Sequence, residues 1–536
     1  LLTLNHADVS DPVYLKPEVK FEPLVCRWYA WPHLLAPVTL ALHLHYRLLP
    51  LLRSFVENPA VHVAANRDPA MYGGPFVSLD EAEVGRAKAL LEETTGSCAT
   101  LTGLAGDLRR FNAQLRESAT GFSLNALYAE LPESLCGLVE LLYDTEHRAS
   151  VRLFEPLVNL AYPTAATQQV MLHMASDDSR PFFMSTPRLE TTDSLSLAMP
   201  FSDPRIDRLA AMRTRPAPLA ELATLLDLDD AHMPLLRAMC QATAPHARPD
   251  REHADAGVRM RYFGHACLLF QTADTSILFD PFVSIEDTQD GRFSIHDLPD
   301  RIDWVVITHA HQDHFSPEML LQLRHRIGHV IVPANNSGAV ADPSMKLALQ
   351  QLGFASVTAL DCLERVALPG GSVLSLPFTG EHADLNIYSK HAILLELLGK
   401  KFMFLVDSDG RDPVLYERIR QQTGPIDAMF IGMECQGAPL NWLYEPVLDQ
   451  PVNRRNNESR RLSGADHERA AAICAIVAPR RVFVYAMGQE PWMRHIMGLQ
   501  YSPDSIQLTE SDRFVAHCQA QDIQAERLYG SRELRF

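Results

Sequence analysis

A chain of 536 residues is too long for one ordinary hydrophobic core, so two domains are expected. Its 47% hydrophobic and 21% charged content exclude a disordered chain, and the net charge of -18 excludes nucleic acid as the main partner, because phosphate binding needs a basic surface.

No signal peptide is visible at the start. The most apolar early segment, Leu34 to Leu52, is interrupted by Pro37, His43, His45, Arg47 and Pro50, which predicts no membrane span. From about Pro37 to Leu142 the periodicity is helical, with Ser78 and Glu81 placed as a capping box ahead of Val84, Ala87, Leu90 and Leu91. Between Val151 and Phe201 the apolar runs shorten and alternate, as in a small sheet. Helical signals return from Asp203 to Cys240, where Asp203 is placed to cap and Pro204 fits a first turn. The polar run Ala242 to His253 has linker composition and sets the expected boundary between domains 1–245 and 257–536. Nine scattered cysteines without a C-x-x-C pair fit free thiols in a reducing cytoplasm.

The second half alternates short strands and helices. Strands are expected at Arg259–Phe263, Cys267–Gln271, Ser276–Phe279, Trp304–Ile307, Val330–Val332, Val373–Phe378, Ile393–Leu397, Phe402–Val406, Ala428–Gly432 and Val482–Tyr485. Ser316 and Pro317 announce a helix. Such a pattern predicts a layered α/β domain with its chemistry on loops at strand ends.

The strand at Trp304–Ile307 runs into Thr308-His309-Ala310-His311-Gln312-Asp313-His314, three imidazoles and a carboxylate within six positions. His309 and His311 can converge on one metal while Asp313 and His314 turn toward a second. Other strands end on Asp280, on Glu381-His382 and on Asp407. Asp280 is expected to buttress the ligand loop and His265 to tighten a strand turn beside it. Asp384 and Asp409 read as loop caps.

These residues resemble the metallo-β-lactamase superfamily, whose His-x-His-x-Asp-His loop is followed by a later ligand and a bridging Asp. The resemblance implies an αββα sandwich over about Gly257 to Phe536 holding two metals. Zinc hydrolases of that superfamily add a His near the end of a late strand. Here that strand runs into Ala486-Met487-Gly488-Gln489, and His467 and His495 are the nearest substitutes. Either Glu381 or His382 fills the middle position. With Glu381, three imidazoles stand with three carboxylates, a hard, anionic set suited to iron and dioxygen.

That set is similar to the diiron β-hydroxylases of nonribosomal peptide synthesis, the chloramphenicol-pathway family. Phe21-Glu22-Pro23-Leu24-Val25, Arg27-Trp28-Tyr29-Ala30-Trp31-Pro32-His33 and Gly73-Gly74-Pro75-Phe76 resemble its N-terminal domain, although Trp28 and Trp31 also suit a packed core. The resemblance implies two iron ions bridged by Asp407 and an oxo group. His309, His311 and Glu381 would hold one iron and Asp313 and His314 the other, with His382 beside them. Dioxygen and electrons from an external donor would drive β-hydroxylation of an amino acid, aromatic or aliphatic such as leucine, tethered to a peptidyl carrier protein. The N-terminal domain, mainly helical with some sheet, is expected to support homodimerisation and carrier recognition. The arginine- and asparagine-rich run Arg454 to Arg461 reads as a surface loop or a carrier contact. The competing expectation is a dizinc hydrolase acting on a thioester or lactone, its metal activating water.

Overall fold

The apolar runs after Arg259 resolve into two seven-stranded sheets packed face to face. In this computed structural model residues 11–176, 178–286, 291–498 and 500–536 are described. One sheet takes the order Val357–Leu360, Ile327–Pro333, Ile302–Val306, Ser276–Phe279, Leu268–Gln271, Arg259–Tyr262, Arg532–Arg535. The other runs Arg365–Leu368, Gly371–Leu376, Ala392–Leu397, Lys400–Val406, Ala428–Gly432, Arg481–Tyr485, Gln524–Arg527. In the first, the strands from Ser276–Phe279 to Val357–Leu360 are parallel. In the second, those from Lys400–Val406 to Gln524–Arg527 are. Parallel strands need both faces covered, which explains their unbroken apolar runs. Phe279 stacks on Phe404 at 4.3 Å between the sheets, and Phe404 stacks on Phe430 at 5.0 Å. Helices Pro413–Thr423, His467–Val477 and Ile506–Ala520 cover one outer face, Pro317–Leu323 and Met345–Gln351 the other. The expected αββα sandwich is present, with strand ends within a few residues of those expected.

The N-terminal half mixes helices with small sheets. Val19–Val25 pairs antiparallel with Trp28–Tyr29 and Gln168–Met174, and the latter with Ser194–Leu197. Val139–Tyr143 forms a hairpin with Ala149–Leu153, so the helical stretch stops short of Leu142. The long helices are Val84–Ser97 and Ala99–Ser118. Ser78 does not cap the first of them. Its N–H donates to Thr186 Oγ1, and a 3₁₀ turn over Glu81–Glu83 separates it from the helix start. Asp203 caps as expected, accepting from the Arg205 N–H. The Arg454 to Arg461 run begins as a helix, Arg454–Ser459, because the Asn453 side chain accepts from the Asn456 N–H. Trp28 and Trp31 are both buried.

The two halves share one hydrophobic core, running from Leu15 through Val305 and Met319 to Ile496. A second core fills the space between the sheets. A buried ionic cluster also joins the halves. Arg180 donates to Glu22 Oε1 at 2.6 Å and to Glu318 Oε2 at 2.5 Å, Arg188 to Glu22 Oε2 at 2.6 Å, and the Tyr29 hydroxyl to Glu318 Oε2 at 2.7 Å. Burial pushes the Glu22 carboxyl up, but Arg188 and Arg180 outweigh it and hold it well below the usual range. Glu318 lies in Pro317–Leu323, the helix that leaves the histidine loop, and Ser316 caps that helix through the Met319 N–H.

Candidate metal centre

The buried strand Ile302–Val306 delivers the histidine loop to the end of its sheet, where Asp280 holds it. Asp280 accepts from the Thr308 N–H at 2.8 Å and the Thr308 hydroxyl at 2.7 Å, and lies 2.8 Å from His314 Nδ1. With Nδ1 directed at Asp280, His314 Nε2 is left for the centre.

Two donor groups converge. In one, His309 Nε2 lies 3.2 Å from His311 Nδ1 and 3.5 Å from Asp407 Oδ2, and Glu381 Oε1 lies 3.1 Å from His311 Nδ1. In the other, His314 Nε2 lies 3.1 Å from Asp407 Oδ2 and 3.5 Å from Asp313 Oδ2. Asp407 belongs to both. Its strand shifts register between Phe404 and Val406, and Val406 takes a left-handed φ of 49°, which turns Asp407 inward. Glu381 likewise sits at φ 66°, in backbone that disfavours a side-chain-bearing residue.

Burial, then its neighbouring imidazoles, keeps His309 neutral, and burial brings His311 down to about 4. Burial works against charge on His314 too, yet Asp313, Asp280 and Asp407 outweigh it and raise it well above 6.5. Burial raises Asp313, but His314 and His265 hold it low. Burial, then Glu434 and Asp407, pushes Glu381 up. His314 Nε2, Glu381 Oε2 and Asp407 Oδ1 are buried without a hydrogen bond. Such atoms are costly unless a cation completes them. Three imidazoles with three carboxylates fit iron, so the donor set suits a dinuclear iron group.

His265 lies closer to the centre than a turn residue need be, with Nε2 3.1 Å from Asp313 Oδ2. Its Nδ1 accepts from the Gly488 N–H, which leaves Nε2 facing Asp313. Residues 486–488, at the late strand end without a histidine, are thus docked on His265, the Ala486 N–H reaching the His265 carbonyl. His382 packs against His311 with the rings tilted and their centroids 4.4 Å apart, and has no hydrogen bond at either nitrogen. Asp409 accepts from the Thr379 hydroxyl and the Arg411 N–H, whereas Asp384 pairs, among the described residues, only with the Arg411 side chain. His495 packs on Tyr29 and Phe282, and His467 packs on His517. Neither joins a donor group.

Two residues at the centre carry no motif. Tyr444, at the end of helix Leu440–Tyr444, places its hydroxyl 2.8 Å from His311 Nε2. Arg47, from the π-helical turn Leu44–Leu48, pins that helix by donating to the carbonyls of Asn441 and Trp442. Glu434, two residues beyond strand Ala428–Gly432, is the other. Burial, then Asp407 and Asp313, raises its carboxyl. A cavity of about 550 Å³ opens on His311, Asp313, Glu381, Asp407 and Glu434, with Met71, Tyr72, Phe76, Trp442, Leu462 and Met487 among its walls. A cavity of about 620 Å³ around His173 and Arg188 shares none of the donors.

Fold and donor set define a metallo-β-lactamase-fold protein with a dinuclear metal centre, and comparison with known proteins narrows the class. Residues 14–243 match the diiron non-heme β-hydroxylase N-terminal domain and residues 259–369 the β-lactamase superfamily domain. The 4-amino-L-phenylalanyl-[CmlP-peptidyl-carrier-protein] 3-hydroxylase of Streptomyces venezuelae is 35% identical over 97% of this chain and 99% of its own. The crystal structure of CmlA, a diiron β-hydroxylase from the same organism, superposes with a TM-score of 0.92 at 34% identity, covering 98% of this chain and 100% of that one. A mutant of CmlA β-hydroxylase superposes with a TM-score of 0.90 over the same shares. The chain belongs to the CmlA-type diiron β-hydroxylase family, and the hydrolase expectation is not favoured.

Proposed function

We propose that this protein is a dioxygen-dependent diiron monooxygenase that hydroxylates the β carbon of an amino acid held as a thioester on a peptidyl carrier protein. The observation that carries the reading is the pair of donor groups sharing Asp407, with Glu381 among the donors, in a chain of this family. His309, His311 and Glu381 would hold one iron and Asp313 and His314 the other, with Asp407 within reach of both. Glu381 is preferred to His382 because its Oε1 reaches His311 Nδ1, while neither His382 nitrogen makes a polar contact. With dioxygen and two electrons from a separate donor, such a centre supplies the oxidant that converts a C–H bond to C–OH and releases water.

The chain's own residues provide position and exclusion. Asp280 orients His314, His265 orients Asp313, and Tyr444 orients His311. The apolar walls keep water from the reacting carbon and accept an aromatic or aliphatic side chain. Residues 1–245 act in dimerisation and carrier recognition, and residues 257–536 carry the metals. Among the described residues no helix is long and apolar enough to cross a membrane, and nine free cysteines suit a reducing cytoplasm.

Purified protein should contain about two irons per chain with an absorption band in the visible. Given reductant and dioxygen, it should add one oxygen atom to an aminoacyl carrier, detected by intact-protein mass. Zinc alone in active protein, or no oxygen gained on any aminoacyl carrier, overturns the reading.

A further inference from the structure

Two cysteines meet where the small N-terminal sheet packs on the helices. Cys26 follows strand Val19–Val25 in a tight turn, with φ 49° at Cys26 and 69° at Arg27, and its N–H is anchored on the Thr167 carbonyl at 2.8 Å. Two successive side-chain-bearing residues in left-handed backbone are costly, and the turn they make brings Cys26 to Cys98. Cys98 joins helices Val84–Ser97 and Ala99–Ser118 and is the N-cap residue of the second. The two sulfurs lie 3.3 Å apart and are both free thiols. A disulfide bond is about 2.05 Å long, so a movement of roughly 1 Å would join them.

The two thiols are not equivalent. Cys26 is half-buried and gives the pair its access to solvent, while Cys98 is buried. The hydrogen bond from Cys26, helped by the Ser97 hydroxyl, brings Cys98 down to about 7 against the opposing effect of burial. The 20-residue helix that starts at Cys98 points the positive end of its dipole at the same sulfur. Its hydrogen bond to Cys98, then burial, pushes Cys26 up, so Cys26 keeps the proton. Thiolate character beside a protonated thiol is the arrangement that reacts with peroxide and then closes. Cys474 and Cys518 also approach, at 3.8 Å, but both are enclosed in the core between helices His467–Val477 and Ile506–Ala520.

We infer that Cys26 and Cys98 form a peroxide-reactive dithiol, a modification site apart from the metal centre, with Cys98 attacking and Cys26 resolving. Neither residue lines the cavity over the metal donors. The Cys98 thiolate attacks one oxygen of hydrogen peroxide, the O–O bond breaks, and the departing hydroxide takes up a proton to become water. The Cys26 sulfur then attacks the Cys98 sulfenic acid, the S–O bond breaks, and the hydroxide leaves with the Cys26 proton as a second water. Two thiols lose two electrons in forming one S–S bond, and one peroxide is reduced to two waters. Two-electron reduction of dioxygen that is not coupled to hydroxylation yields hydrogen peroxide. That source rests on the proposed reaction, whereas the reactivity of the pair does not.

The test adds hydrogen peroxide at molar equivalence to reduced, iron-loaded full-length protein. Remaining thiols are blocked with N-ethylmaleimide at intervals, and the digest is read by mass spectrometry. A disulfide between Cys26 and Cys98 should form roughly 10-fold faster than oxidation of the exposed Cys136 or Cys362, as the larger thiolate fraction requires. Dithiothreitol should reverse it, and Cys474 and Cys518 should stay reduced. Diamide, an oxidant of thiols that needs no iron, should give the same bond. In Cys26→Ser, dimedone should trap a sulfenic acid on Cys98, while in Cys98→Ser position 26 should stay unmodified. Oxidation of Cys136 or Cys362 ahead of the pair, absence of the disulfide in wild type, or a bond already present and resistant to dithiothreitol would each overturn the inference. Added peroxide bypasses turnover, so failure to hydroxylate any aminoacyl carrier would strike the proposed reaction and leave this result standing.

Discussion

Gly432 leaves the space into which Asp407 leans: a Cβ at Gly432 would stand 2.6 Å from Asp407 Oδ1 and 2.7 Å from the Val406 carbonyl. Both neighbours are buried, and the Val406 backbone is already held in a left-handed conformation. Gly432→Ala therefore has to displace Asp407, the residue common to both donor groups. Overpacking of this kind costs about 1–3 kcal/mol. The variant should fold, with a lowered melting temperature, and purify with clearly fewer than about two irons per chain. Wild-type iron content by elemental analysis would show that Asp407 does not need that space.

His265 acts on Asp313 from behind, through a ring whose other nitrogen is committed to Gly488. Removing such an orienting partner lowers metal affinity by about 10–100-fold. His265→Ala should release iron to a chelator correspondingly faster, with circular dichroism close to wild type. Equal release rates would remove His265 from the centre.

Tyr444 does the same for His311. In Tyr444→Phe the ring volume is kept and only the hydroxyl at 2.8 Å from Nε2 is lost. A buried imidazole nitrogen left unpaired costs about 1–3 kcal/mol. The expected outcome is weaker iron retention and an altered visible spectrum, with little change in carrier binding. A spectrum superimposable on wild type would show that the hydroxyl is incidental.

The Glu22–Arg180–Glu318 cluster makes stability depend on pH. Arg180→Ala leaves two buried carboxylates short of a partner and should destabilise by about 3–5 kcal/mol in urea denaturation. The folded-state pKa of Glu22 lies below its unfolded value, so its contribution is complete above the unfolded pKa and fades as pH falls through the folded one. The stability gap between wild type and Glu22→Gln should thus be widest near neutrality and shrink below about pH 4.5. A gap constant with pH would contradict the depressed pKa.

Much of the centre was legible because its donors are concentrated. Four of them lie within six positions at one strand end, and Glu381 and Asp407 each follow an apolar run that could only be a buried strand. Glu434 was not legible. A single acid followed by Cys435, Gln436 and Gly437 looks like any loop, and its meaning comes from Ala428–Gly432 ending beside Asp407's strand, which is a matter of sheet order. Tyr444 meets His311 across 133 positions, a pairing no local pattern carries. The Ser78 capping box failed for the opposite reason. Its local signal was sound, but tertiary contact with Thr186 took the Ser78 N–H elsewhere. The Arg454 to Arg461 run looked like a loop by composition, and one capping side chain at Asn453 made it helical.

The core that runs unbroken from Leu15 to Ile496 sets a limit on modular engineering. A fragment cut at the polar run before Gly257 would uncover helix Pro317–Leu323, which packs on strand Val19–Val25 and helix Arg205–Ala211, and leave Glu318 without Arg180 and Tyr29. The sandwich is therefore not a transplantable cartridge, and any exchange of N-terminal halves between relatives must carry a matched apolar face and its own arginine across the seam.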